Sequence, residues 1–83
     1  MIRAQLLELA SKRGLGKSFC PSEVARQVDP ANWRDLMEAT RKEGKDLVQE
    51  NLLICTQKGN PADPALATGP IRFGLSSAYA KKV

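Results

Sequence analysis

The segment from Asn32 to Glu50 constrains the fold of this chain more than any other, because nineteen residues pass without a proline and their apolar members fall on one side of a helix. On a wheel of about 100° per residue, Trp33, Leu36, Met37, Thr40, Gly44, Leu47 and Val48 lie within roughly 60° either side of Trp33. The remaining arc divides by charge. Arg34, Arg41, Lys42 and Lys45 lie on one flank and Asp35, Glu43, Asp46 and Glu50 on the other, with Glu38 on the basic side. Such a helix buries one stripe, with Trp33 as its anchor; if Trp33 is fully buried, its replacement by alanine costs around 3–5 kcal/mol. Gly44 sits inside the stripe at about 1 kcal/mol in helix propensity, which the close approach of another helix would offset. Asn51 is placed to end the helix in the left-handed conformation.

A chain of 83 residues makes one domain with a small core. The four aromatic residues, Phe19, Trp33, Phe73 and Tyr79, leave that core mostly aliphatic, with Phe19 and Phe73 expected inside it. Two cysteines and no histidine cannot complete a four-ligand zinc site and are too few for a disulfide scaffold, so Cys20 and Cys55 are expected as reduced, partly buried thiols. The first residues carry charges at Arg3 and Glu8 and lack the uninterrupted apolar run of a leader or a membrane span, so a cytoplasmic location without membrane association is expected. The formal charge of +4 is unevenly placed. Residues 1–28 carry net +3, residues 29–51 net −2 and residues 52–83 net +3, so the central helical region is acidic overall.

Around the central segment the spacing predicts a first helix over Ile2–Arg13, stopped by Gly14 and Gly16, and a short extended piece at Lys17 to Phe19. Gly16-Lys17-Ser18 looks like the end of a phosphate-binding loop. The position where that motif needs its first glycine is Ser11, however, and a helix rather than a strand precedes it, so an ordinary turn is expected. "CPSEVARQV" reads as a second helix of about two turns, with Cys20 at or beside its N-cap, Pro21 at its first position and Glu23 in its first turn. A helix N-terminus can activate a thiol, but no partner base exists for Cys20. Asp29-Pro30 makes a tight link to the central helix. Beyond it, Leu52 to Gln57 reads as a strand, and Ile71, Phe73 and Leu75 alternate as a second. Lys58 to Pro70 is too rich in glycine and proline for regular structure, and Ser76 to Val83 reads as a flexible tail with Lys81 and Lys82 solvated.

This order predicts an α+β fold, a winged helix-turn-helix of three helices with a small antiparallel β-hairpin wing, over residues 1–75 with a tail at 76–83. The strings "CPSEVARQVDPANWRDLM", "QKGNPADP" and "GPIRF" agree with it. Together they make the chain from Ile2 to Leu75 resemble a bacterial family of small uncharacterised proteins, a domain of unknown function with a winged-helix-like fold. The resemblance brings no activity. It implies one structural detail, since relatives carry proline at the position of Glu38, which would set Trp33 to Met37 apart as a separate turn and start the main helix near Glu38.

Two functional classes remain open. In the first, the domain binds double-stranded DNA as a transcriptional regulatory module. Arg34, Arg41, Lys42 and Lys45 of the third helix and Lys58 and Arg72 of the wing are then the contacts. Lys17 and Arg26 add phosphate contacts, and Ser22 adds one through its hydroxyl or local amides. Against it, Arg34 with Glu38, Glu38 with Lys42 and Lys42 with Asp46 are four residues apart, the spacing of pairs that merely support a solvated helix. In the second, the charge-divided helix or the wing docks a protein partner or a second copy as a homodimer. No catalytic constellation, metal site or cofactor motif is present in the sequence, so enzyme activity is not expected.

Overall fold

Helix α1, Ile2–Arg13, begins the domain and buries Leu6, Leu9 and Ala10, three residues that its 3.6-residue period places on one face. The structure, a computed structural model, describes residues 1–80. Gly14 ends α1 at φ +85°, donating its N–H to the Ala10 carbonyl at 3.0 Å, and two residues of strand β1, Ser18–Phe19, follow. Helix α2 is Pro21–Val28, a 3-10 turn runs over Trp33–Leu36, and helix α3 is Met37–Gln49. Strands β2, Leu53–Gln57, β3, Asn60–Pro61, and β4, Arg72–Leu75, complete a four-stranded antiparallel sheet in the order β1-β4-β2-β3, and helix α4, Ser77–Ala80, ends the described chain.

The fold is therefore mixed α+β, as expected, with four helices and four strands where the sequence predicts three helices and a two-stranded wing. Three differences have local causes. Lys58 and Gly59 both adopt positive φ, at 53° and 83°, which makes the two-residue turn that matches strand twist and pairs Gln57 with Asn60 and Thr56 with Pro61 inside a stretch expected to be irregular. Ser18 and Phe19 pair with Gly74 and Phe73, so the short extended segment joins the sheet as its edge. At the C-terminal end, Ser76 Oγ accepts the Ala78 N–H at 3.2 Å and half-buried Tyr79 leans on the core, starting a helix where no sequence period is visible. Lys81 and Lys82 lie outside the described residues.

Helices α1 and α3 pack on the inner face of the sheet, and α2 packs against both of them. Leu6, Phe19, Val24, Leu47, Leu53, Ile71 and Phe73 are at most 1% exposed, and the Phe19 and Phe73 rings meet in a tilted pair with centroids 6.2 Å apart. Gly44 lies over the sheet rather than against a second helix. A Cβ built there would stand 2.1 Å from Cζ of Phe73, so the missing side chain is the space that the Phe73 ring fills. At the end of α3, Asn51 takes φ 63° and the Leu52 N–H reaches the Leu47 carbonyl at 3.0 Å, the left-handed termination expected of asparagine.

Trp33 departs from the expected stripe. It belongs to the 3-10 turn, which buries none of its residues, while α3 starts at Met37, close to where the family pattern would start it. The buried stripe runs through Thr40, Gly44 and Leu47 only. Trp33 is half-buried on the surface of the helical layer and is not the core anchor.

The two thiols differ in environment. Cys55 is 4% exposed and burial pushes its thiol pKa up, whereas Cys20 at the α2 N-cap is half-buried. A disulfide-exchange reagent is expected to label Cys20 of the native protein and to reach Cys55 only at the unfolding rate. Equal native-state labelling of both would contradict this packing.

Candidate nucleic-acid interface

The sheet does not run on past Arg72. Beyond the Thr56–Arg72 pair the two chains part, and the gap is bridged by Gln57, whose Nε2 donates to the carbonyls of Thr68 at 2.5 Å and Pro70 at 3.2 Å. A cleft of about 800 Å³ opens between the β2–β3 hairpin and residues 68–71, and a smaller concavity continues from it to the start of α2 and α3, sharing Cys20, Pro70 and Ile71. Lys58 and Arg72 line the first part, and Ser22, Met37 and Arg41 line the second. No described carboxylate side chain lines either. Cys20 to Ser22, Gln57, Lys58, Asn60 to Ala62 and Gly69 to Arg72 all contribute, so the strings that carry the family resemblance meet at this cleft.

Two of its cations are held in place by carbonyl oxygens. Arg41 donates to the carbonyls of Ala67 at 2.8 Å, Gly69 at 2.6 Å and Pro64 at 3.5 Å, and so ties the loop from Ala62 to Ile71 onto α3. Pro64 is fully buried beneath the same loop, and Lys45 adds a 3.5 Å ion pair with Asp63. Arg72 donates to Ser18 Oγ at 2.7 Å, to the Ser18 carbonyl at 2.9 Å and to Cys20 Sγ at 3.3 Å, fastening β4 to β1 and to the α2 cap. Each guanidinium has five N–H donors, so both keep charge and donors for another acceptor.

The neighbouring acid is spoken for. Glu23 Oε2 accepts the Cys20 N–H at 2.9 Å and Oε1 accepts from Arg13 Nη2 at 2.6 Å. Burial by itself raises the Glu23 pKa, but the Cys20 amide and Arg13, with Arg72 nearby, outweigh it and hold the carboxyl below its ordinary value. A depressed folded-state pKa adds stability that is fully present above the unfolded value and is lost as pH falls through the folded one. Glu23→Gln is expected to lower the melting temperature near neutrality, with the gap to the wild type narrowing as pH is lowered. Melts recorded from neutral to acid pH that run parallel would contradict this.

Beside the cleft, Ser22 and Arg26 lie one turn apart on α2, and the 3-10 turn that begins at Trp33 packs against that helix. The Arg26 guanidinium sits over the Trp33 ring, 4.2 Å from its centroid, and that of Arg34 over the same ring at 4.5 Å. Wheel arithmetic assigns Arg34 to the flank of the third helix. It instead precedes α3 and joins Arg26 around the indole.

Of the nine residues proposed from the sequence, Ser22, Arg41, Lys58 and Arg72 thus border the cleft, and Arg26 and Arg34 form the patch next to it. Lys42 and Lys45 border a smaller hollow of about 270 Å³ on the other side of Arg41, shared with Glu38. Lys17 is exposed just before edge strand β1 and lines neither part of the cleft among the described residues. The outward face of α3 presents Glu38, Ala39, Lys42, Asp46 and Gln49, in which one lysine stands between two acids. Trp33, Gln57 and Cys20 are the site residues that sequence reasoning missed. The Trp33-Arg34 dipeptide is the visible signal for the first, and Cys20 and Gln57 each open a string that carries the family resemblance.

No described helix is long and apolar enough to cross a membrane. The sequence model of a family described as "Protein of unknown function (DUF3253)" matches residues 1–76. No curated protein matches the chain.

Proposed function

We propose that this chain, which belongs to the DUF3253 family, is a winged helix-turn-helix domain that binds double-stranded nucleic acid with the face between its helical layer and its wing. One observation carries the reading: the cleft gathers Lys58, Arg72 and Arg41 without a lining carboxylate, in a domain whose α3 is acidic on its outer face. A polyanion gains from every cation on the first surface and meets repulsion from Glu38 and Asp46 on the second. The winged-helix assignment is supported by the order α1, β1, α2, α3, β2, β4 and by the antiparallel run β1-β4-β2, with β3 an added strand at the tip of the wing.

In this reading Lys58 and Arg72 meet phosphates from the wing, Ser22 donates from the start of α2, and Arg26 and Arg34 extend the contact along the helical layer. Arg41 and Lys45 act by holding the loop that forms one wall. A salt series of fluorescence anisotropy with a labelled mixed-sequence duplex tests it. Affinity is expected to fall steeply with salt, and Lys58→Gln is expected to lower the slope of log K against log salt by about 1, while Lys42→Gln leaves it unchanged. A duplex that is not bound even at low salt would end this reading.

The protein-docking alternative has one observation of its own. Leu66 is 78% exposed at the tip of a loop that Arg41, Lys45 and Pro64 hold firmly. A large apolar side chain on a fixed support is the form an interface anchor takes.

A further inference from the structure

The six arginines divide into two groups. Arg3 donates both terminal nitrogens to Glu50 at 2.6 Å, Arg13 pairs with Glu23, and Arg41 and Arg72 are bonded to carbonyl oxygens as described. The guanidiniums of Arg26 and Arg34 make no hydrogen bond and no ion pair among the described residues, and these are the two that lie over the Trp33 ring. At the end of α2, Asp29 spends its carboxylate on the N–H groups of Ala31 and Asn32, both at 3.2 Å.

Stacking restrains a guanidinium without using its N–H donors, because the ring is met by the π face and the donors lie in the guanidinium plane. Both cations are therefore fixed while their hydrogen-bonding capacity stays open. The two guanidinium carbons are no further apart than about 9 Å, the sum of their distances to the shared ring centroid. Two like charges so placed repel each other, and the indole they share supplies attraction to each without neutralising either. Two anionic groups joined by a short chain would satisfy both at once.

We infer that Arg26 and Arg34, positioned by Trp33, form a two-point clamp for neighbouring phosphates of a nucleic-acid backbone. This deepens the nucleic-acid reading and rests on it. Trp33 acts as a positioning residue: guanidiniums occupy its ring, so it serves to fix the arginines rather than to stack on a base. The clamp carries no sequence information and adds affinity and orientation.

The test is the same anisotropy salt series on the full chain with three variants whose folding is checked by thermal melts. The double variant Arg26→Gln with Arg34→Gln is expected to weaken duplex binding about tenfold or more at low salt and to reduce the salt slope by about 2, one contact for each charge removed. Trp33→Leu keeps both charges, so affinity is expected to fall several-fold while the slope stays near the wild-type value. Trp33→Phe keeps an aromatic face and is expected to recover most of the loss, which also guards against misfolding in the leucine variant. If the wild type binds and the double variant keeps its affinity and slope, the clamp is overturned while the nucleic-acid reading stands. Trp33→Leu binding as tightly as the wild type removes the positioning role. A wild-type chain that binds no duplex overturns both.

Discussion

Gly44→Ala is expected to destabilise the domain by about 2 kcal/mol or more, although alanine is the better helix former by about 1 kcal/mol. The new methyl would stand 2.1 Å from Cζ of Phe73 and within 2.8 Å of both neighbouring ring carbons, distances that no Cβ tolerates. Phe73 is fully buried and packed on Phe19, and its strand is held between β1 and β2, so neither ring nor backbone yields cheaply. For a domain of this size the loss corresponds to a melting temperature lower by about 10 °C. Chemical denaturation of Gly44→Ala, Phe73→Leu and the double variant closes a mutant cycle. The double variant is expected to be more stable than the sum of the two single losses, since shortening Phe73 makes room for the methyl. A Gly44→Ala domain as stable as the wild type would contradict the packing of α3 on the sheet.

Arg41→Met is the second large effect. Its guanidinium serves three carbonyls of one loop, and charge-assisted bonds of this kind are the strong ones even where the surroundings are half exposed. Methionine keeps much of the apolar stem and removes the donors, leaving the Ala67 and Gly69 carbonyls to find water. A loss of about 2 kcal/mol is expected, with amide exchange rising across Ala62 to Ile71 and little changed in α1. Lys45→Ala, which breaks only a half-exposed ion pair with Asp63, is expected to cost at most about 1 kcal/mol. Equal effects from both substitutions would mean that Pro64 alone anchors the loop.

These two residues also show which parts of the molecule the sequence could reveal. Helix α1, helix α2, the Asn51 terminus and strands β2 and β4 follow from periods and stop signals within a few residues, and they lie where such reasoning puts them. Gly44 was recognisable as a close contact, but its partner is twenty-nine residues away in β4, and the expected helix was the wrong kind of neighbour. The role of Arg41 depends on carbonyls more than twenty residues ahead, in a stretch where proline and glycine hide any pattern. Trp33 leaves the expected stripe for a geometric reason. A wheel at 100° per residue does not hold through a 3-10 turn, which advances about 120° per residue, so four residues rotate the indole by about 80° off the buried face. That rotation brings Trp33 under the guanidiniums of Arg26 and Arg34, on the surface rather than in the core.

The proposed function places a nucleic-acid duplex on the cleft beside the β2–β3 hairpin and on the arginine patch rather than on the outer face of α3. An amide NMR titration of the protein with a mixed-sequence duplex, at low and at moderate salt, tests it most directly. The account predicts shifts at Ser22, Arg26, Trp33, Arg34, Lys58 and Arg72 that weaken steeply with salt, with Ala39, Lys42 and Asp46 little affected. Shifts concentrated on Ala39, Lys42 and Asp46, or none at either salt concentration, would contradict it.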